Sequence, residues 1–297
     1  MARFRHELKY ILPLNRADEL FEDALSYCDY DPHVNATHSY EIASIYYDTA
    51  DLRFYYDREE SVGYRRKIRL RSYNTQGKSS ALFIEIKEKH KQFVNKKRVN
   101  LKSPEILDRF EFHNQIPLGA ILEELEDSDA ARELLYLQDR LELFPVVNIR
   151  YHRRPLIPRY ENDMRITLDT RITAGGENLA MYNDAQEKSI IAPDLGVFEV
   201  KTNQAVPMWL QSILCRYSLP QTRYSKYCLG VDAIFGRGGK QWLLSSNDDV
   251  GSARSPSSGN GGTAGNGGGS SSGETSNSDA PNGRDLSSES LDSHLSG

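Results

Sequence analysis

Apolar and polar residues alternate with period two along much of the first 240 residues. This is the signature of strands with one face buried. The pattern predicts strands over roughly 3–11, 40–48, 64–73, 81–89, 94–101, 145–153, 164–170 and 196–202. Helical spacing interrupts them. Asn15 stands where it could cap a helix whose inner side carries Leu20, Phe21, Ala24 and Leu25. Ser103-Pro104 reads as a cap followed by proline at the first helical position, opening a helical insert of about 104–143 with a break near Pro117. Pro207 opens an amphipathic stretch from Met208 to Tyr217, and a last helix is expected from about Ser225 to Phe235. Strands with hairpin-like spacing and intervening helices make an α+β domain on an antiparallel sheet.

The polar faces of these strands are unusual. Alternation places Arg65, Lys67, Arg69 and Arg71 on one face, opposite Ile68 and Leu70. Phe83, Glu85, Lys87 and Lys89 oppose Leu82, Ile84 and Ile86. Arg165, Thr167 and Asp169 oppose Ile166 and Leu168, and Glu199 and Lys201 oppose Phe198 and Val200. Arg5, Glu7 and Lys9 share a face, as do Lys96 and Arg98. A solvated outer face would account for any one of these strands. It does not account for six that repeat an Arg/Lys face with a few spaced carboxylates, because like charges on one surface repel unless an anion lies between them. If the sheet closes into a barrel with this face inward, the apolar face turns outward under the helices. The interior is then a basic tunnel suited to a linear polyanion, phosphate best of all, since arginine forks match its oxygens. The carboxylates within it would neutralise charge or hold a hard cation, Mg²⁺ or Mn²⁺, that also bridges phosphate oxygens. Glu199 is the first candidate, with Glu7, Glu85 and Asp169 behind it; each could also pair with a base. In Gln221-Thr-Arg-Tyr-Ser-Lys-Tyr-Cys228, Arg223, Ser225 and Lys226 sit where a helix begins, a place that favours an anion; a capping serine beside two exposed bases is the plainer reading.

Composition changes this picture in one respect. The 297 residues carry a formal net charge of −5, with 37 Lys plus Arg against 42 Asp plus Glu. Residues 245–297 hold 16 Ser, 11 Gly, no aromatic residue, two basic and seven acidic side chains. Without them 35 basic and 35 acidic residues remain, so the entire excess lies in this stretch. It lacks the apolar surface to offset the entropy of ordering and is expected to be a disordered tail. Residues 1–244 hold all the aromatic residues, and a domain is expected over 1–240. No apolar run is long enough for a membrane span, and no secretory signal is visible. Cys28, Cys215 and Cys228 form no C-x-x-C pair, which excludes a cysteine zinc site and fits a reducing, cytoplasmic compartment.

Several segments together resemble the VTC-type polyphosphate polymerase domain of the triphosphate tunnel metalloenzyme superfamily, the CYTH-like fold. They are Arg5-His-Glu-Leu-Lys-Tyr10, Ile45-Tyr-Tyr-Asp-Thr49, Lys67-Ile-Arg-Leu-Arg-Ser-Tyr73, Phe83-Ile-Glu-Ile-Lys-Glu-Lys89, Lys96-Lys-Arg98, Arg165-Ile-Thr-Leu-Asp-Thr170, Phe198-Glu-Val-Lys201 and Tyr224-Ser-Lys-Tyr227, in family order over nearly all of 1–235. The resemblance implies an eight-stranded antiparallel β-barrel, the triphosphate tunnel, with flanking helices. It also implies transfer of the γ-phosphoryl of ATP to inorganic polyphosphate with a divalent metal, Mn²⁺ or Mg²⁺. By resemblance and pattern, Lys9, Arg69, Arg71, Glu199 and Lys226 are the expected catalytic residues, with Glu199 on the metal. Lys87, Lys96, Arg153, Arg165, Lys201, Arg223 and Ser225 are expected to bind substrate. Alternation would equally allow Arg150 in place of Arg153, and Lys97 lies one residue from Lys96. The first strand departs from the Glu-x-Glu-x-Lys of the hydrolytic tunnel enzymes, reading Arg5-His-Glu7-Leu-Lys9, which disfavours a two-metal triphosphatase. The chain shows neither the regulatory domain nor the membrane helices of vacuolar assemblies and reads as a free-standing domain. A tunnel triphosphatase or polyphosphatase and a non-catalytic polyphosphate-binding module are the rival readings. A nucleic-acid partner is not expected, because the aromatics do not form a base-stacking platform.

Overall fold

The computed structural model describes residues 6–73, 82–91, 93–102, 105–110, 115–177, 179–181 and 187–236. Arg5, the Ser103-Pro104 cap and the expected tail over 245–297 lie outside them. The elements in chain order are β1 (His6–Pro13), α1 (Leu14–Leu25), β2 (Cys28–Tyr30), β3 (Tyr40–Asp48), α2 (Arg53–Glu59), β4 (Tyr64–Tyr73), β5 (Leu82–His90) and β6 (Phe93–Asn100). Then follow α3 (Ile106–Arg109), α4 (Leu118–Glu123), α5 (Asp129–Leu141), β7 (Phe144–Pro158), β8 (Arg165–Gly175), β9 (Lys188–Ser189), β10 (Leu195–Thr202), α6 (Met208–Arg216) and α7 (Lys226–Phe235). All eight expected strands form. The short β2 and β9 pair at the margins with β7 and β8.

The main path runs β1-β10-β8-β7-β3-β4-β5-β6, every pair antiparallel. Among the described residues no backbone pairing joins β1 to β6. The sheet is nevertheless strongly curled. Lys87 on β5 reaches Glu7 on β1 at 2.8 Å, although the two strands stand six places apart on the path. In a flat sheet that separation would be roughly 29 Å. Only a sheet wrapped around its charged face can bring them together. The fold is thus an antiparallel half-barrel with flanking helices, its charged side concave.

The convex side is apolar and covered, as alternation requires. Ile45, Tyr47, Ile68, Leu70, Ile84, Ile86 and Val99 pack under α3, α4 and α5. Tyr10, Leu12, Leu156, Ile166, Leu168, Phe198 and Val200 pack under α1 and α6. Two local expectations change. Helix α1 starts at Leu14 with Pro13 in the capping position and no side-chain cap bond, so Asn15 lies inside the helix rather than before it. The proline sets the turn by its fixed φ instead. Helix α7 does not join the convex layer. It packs on the concave side against Val147 and Ile149, where the inner positions of β7 turn apolar. Gly230 permits this, since a Cβ there would come within 2.4 Å of Ile149 Cδ1. Ser225 caps α7 as expected, accepting from the Cys228 N–H at 3.3 Å.

Candidate functional site

Two knots of charge occupy the concave face. The first is built on β1, β10, β8, β7 and α7. Asp169, fully buried, accepts from Arg153 through Nε at 2.6 Å and Nη2 at 2.7 Å, and from Lys226 Nζ at 2.6 Å. Glu199, also buried, lies 2.7 Å from Lys201 Nζ, 3.4 Å from Lys9 Nζ and 3.8 Å from Arg153 Nη2. The register brings these together: Lys9 stands opposite Glu199, and Glu199 opposite Thr167, one alternation from Asp169. Burial raises the Asp169 carboxyl pKa, but Arg153 and Lys226 override it and hold the group down to about 2. The same contest, won by Lys201 and Lys9, keeps Glu199 well below the usual carboxylate range. Burial lowers Lys201 to about 7 against the pull of Glu199.

The second knot lies across β4, β5 and β6. Glu85 is 1 % exposed and meets four cations. Arg69 binds it at 2.6 Å, Lys96 at 2.5 Å, Arg98 at 2.9 Å, and Arg71 stands 3.8 Å away. Burial opposes ionisation, yet Arg69, Arg71 and Lys96 hold Glu85 ionised far below its ordinary pKa. Burial lowers Lys96 to about 8. Hydroxyls aim the two arginines: Arg69 donates to Tyr46 Oη at 2.9 Å, and Arg71 to Ser44 Oγ at 3.2 Å and Tyr151 Oη at 3.1 Å.

Two of three further contacts link the knots, and the one from Lys9 ties β1 to the start of α7. Lys67 donates to Ser225 Oγ at 2.7 Å, Lys9 to the Tyr224 carbonyl at 3.0 Å, and Lys87 to Glu7 at 2.8 Å. The start of α7 therefore bridges β1 and β4 inside the curl. The open alternatives are resolved geometrically. Arg153 enters the site, whereas Arg150 pairs with Glu41 and Glu187. Lys96 faces Glu85, whereas Lys97 turns to Glu88 and Glu133 of α5.

Of the expected residues, Lys9, Glu199, Lys201, Arg153 and Lys226 converge in the first knot, and Arg69, Arg71 and Lys96 in the second. Lys87 and Ser225 lie between them. Arg165 and Arg223 stand apart. Arg165 is half-exposed at the rim and pairs with Asp31 at 3.1 Å; Arg223 is exposed. Sequence reasoning marked Lys67 and Arg98 on the charged faces without assigning them to the site. It gave Tyr46 and Tyr151 no role, and alternation could have placed Tyr46 on the inner face beside Arg69.

Glu199 offers a hard oxygen to a divalent cation. It is itself paired with Lys201 and Lys9, as Glu7, Glu85 and Asp169 are with bases of their own, so a cation there would displace Lys201; among the described residues no group of three or more metal-ligating side chains occurs. The donor set fits a cation held by one carboxylate together with phosphate oxygens, a common arrangement for Mg²⁺. It does not fit an all-protein cage.

Two curated relatives are the vacuolar transporter chaperone complex subunit 4 of Trypanosoma cruzi (strain CL Brener), 24% identical over 227 residues, and that of Trypanosoma brucei brucei (strain 927/4 GUTat10.1), 25% identical over 227 residues. Each alignment takes in 66% of this chain and 28% of the relative, so the chain spans well under a third of those proteins' length. Among solved structures, a putative adenylyl cyclase from Hippeastrum with a dominant triphosphatase activity superposes with a TM-score of 0.45 at 17% identity, covering 75% of this chain and 93% of that one. A putative adenylate cyclase from Bacillus halodurans scores 0.44 at 11% identity, covering 75% and 94%. Nothing about this chain's chemistry follows from structural likenesses this distant. The sequence model of the VTC domain family matches residues 4–235. With the match running through every strand of the half-barrel, the chain belongs to the VTC domain family.

Proposed function

We propose that the concave face is the active site of a polyphosphate polymerase, which moves the γ-phosphoryl of ATP onto the end of an inorganic polyphosphate chain. One observation carries this reading: the inner carboxylates gather more cations than they neutralise. Arg69, Arg71, Lys96 and Arg98 surround Glu85 alone, and Lys9, Arg153, Lys201 and Lys226 surround Asp169 and Glu199. Like charges gathered on one concave face repel unless an anion lies between them. A phosphate chain supplies that charge along a line, as the paired strands present it.

In the transfer, an oxygen of the terminal phosphate of the chain bonds to the γ-phosphorus. The bond from that phosphorus to its bridging oxygen breaks, and ADP leaves with the electron pair. Little covalent help is needed, so positioning and charge stabilisation dominate. Arg69, Arg71 and Lys9 hold the donor phosphates. Arg153 and Lys226 stabilise the transferring group, and Arg165 and Arg223 receive the acceptor chain at the rim. Lys87, Lys96, Lys201 and Ser225 complete the track. Glu199 would hold Mn²⁺ or Mg²⁺, which when bound would neutralise charge on the phosphate oxygens.

The test is to incubate purified protein with ATP and Mn²⁺ or Mg²⁺ and measure chain length and ADP. Polymer growth with matching ADP is expected, and Glu199→Gln should lower turnover by about a hundredfold or more. Free phosphate without chain growth would select a hydrolase. Tight binding without turnover, indifferent to Glu199→Gln, would select a binding module.

A further inference from the structure

Strand β3 has no part in the chemistry above, yet two of its polar side chains, Ser44 and Tyr46, face the site. β3 runs beside β4 with Ser44 opposite Arg71 and Tyr46 opposite Arg69. Each hydroxyl accepts from the arginine directly across from it, Ser44 at 3.2 Å and Tyr46 at 2.9 Å. The Tyr46 ring is buried and stacks on Tyr227 of α7, with centroids 5.0 Å apart and planes at 23°. The Tyr227 hydroxyl donates to Asp48. Asp48 is itself fixed by the N–H groups of Thr49, Phe54 and Tyr55 at 2.8, 2.9 and 3.0 Å. A continuous chain of contacts therefore runs from the start of α2 through Asp48, Tyr227 and Tyr46 to the Arg69 guanidinium.

We infer that Tyr46 is a positioning residue for anion binding: its phenol aims Arg69 into the concave face, and its stack on Tyr227 sets Arg69 in register with Ser225 and Lys226. The inference rests on the proposed phosphate site and adds a residue that touches no phosphate. Without the phenol, Arg69 still pairs with Glu85 through Nε and Nη2, at 2.9 and 2.6 Å. Nη1, which donates to Tyr46, is the nitrogen set free. The loss is thus one of aim rather than of charge. Arg69, Arg71 and Lys67 on β4 face the phenol, Tyr227 stacks on it from α7, and Asp48 stands behind Tyr227. Burial raises the phenol, but the three cations override it and bring Tyr46 down to about 8.

The probe is inorganic tripolyphosphate, with binding measured by calorimetry on the full chain. Tyr46→Phe should weaken binding by about tenfold, the size of one hydrogen bond to a charged group, at an unchanged melting temperature. Tyr10→Phe, a buried tyrosine of the convex core, should bind like wild type. A second readout needs no ligand. Tyrosine absorbance near 295 nm should show a phenol ionising at about pH 8 in wild type that Tyr46→Phe removes, while Tyr73, which Arg71 also lowers, contributes equally to both. Saturating tripolyphosphate, by bringing negative charge up to Arg69 beside the phenol, should move that ionisation upward. If wild type does not bind tripolyphosphate, the proposed phosphate site fails. If wild type binds and Tyr46→Phe binds equally well, the site stands and the positioning role fails.

Discussion

At the scale of single residues, the site is governed by how many charges share how little solvent. Asp169 holds Arg153 and Lys226 at once, with no exposed surface. Removing one partner of a buried ionic group is far more damaging than removing an exposed pair, because the others remain desolvated and uncompensated. Asp169→Asn should therefore destabilise the fold by about 3 kcal/mol at neutral pH. The effect depends on pH in a defined direction. The folded carboxyl titrates at about 2, below its ordinary 3.8. Its contribution is complete above that ordinary value and is lost as pH falls from about 4 towards 2. Thermal unfolding of wild type and variant should differ most at pH 7 and converge only as pH falls to about 2. Equal melting temperatures at pH 7 would refute the stabilising role of the knot.

At the scale of elements, α7 decides what the curl encloses. It delivers Ser225 and Lys226 to the site and closes one stretch of the concave face over Val147 and Ile149. That seat tolerates no side chain at Gly230. Gly230→Val should cost about 1–3 kcal/mol through overpacking, read as a lower denaturant midpoint. Tripolyphosphate affinity should fall with it, because the start of the helix must lift away from Lys67 and Asp169. Unchanged stability and binding would mean that α7 is not seated by this contact. The strands were legible because alternation is local: β3 and β4 occupy 40–48 and 64–73, as their pattern predicts. The seat of α7 was not, because its apolar residues say only that it packs, not on which side of the sheet. Helix α2 went unread for a related reason. Its start is fixed by Asp48 accepting backbone N–H groups from Phe54 and Tyr55, a contact several residues away from the helix's own pattern.

At the scale of the whole molecule, the formal charge of −5 misdescribes the ligand. The acidic excess belongs to residues 245–297, and the strands carry a cationic concave face. A chain ending at residue 244 should keep the melting temperature of the full chain and bind tripolyphosphate within about twofold of it, since the cations proposed to meet the phosphates all lie on the strands, on α7 or just before it. Both forms should lose affinity as salt rises, measured as Kd between 50 and 500 mM NaCl. A large change on truncation would assign the Gly/Ser-rich stretch a part in binding. Among the described residues no helix is long and apolar enough to cross a membrane.

By itself the sequence determined which faces the charged residues occupy. Side-chain direction in a strand follows from backbone geometry alone, so Lys9, Arg69, Arg71, Lys87 and Glu199 were readable as members of polar faces, whereas alternation left Arg150 and Arg153 equally open. It also determined that Ser225 begins a helix, since capping needs only neighbouring N–H groups. Tertiary structure alone decided which charges meet. Lys87 reaches Glu7, and Lys67 reaches Ser225, across separations of 80 and 158 residues. It also turned Arg165 to Asp31 at the rim and left Arg223 exposed. These outcomes depend on the degree of curl, which is a balance of packing under α1, α6 and the α3–α5 layer against repulsion on the inner face. No single strand carries that balance in its own residues.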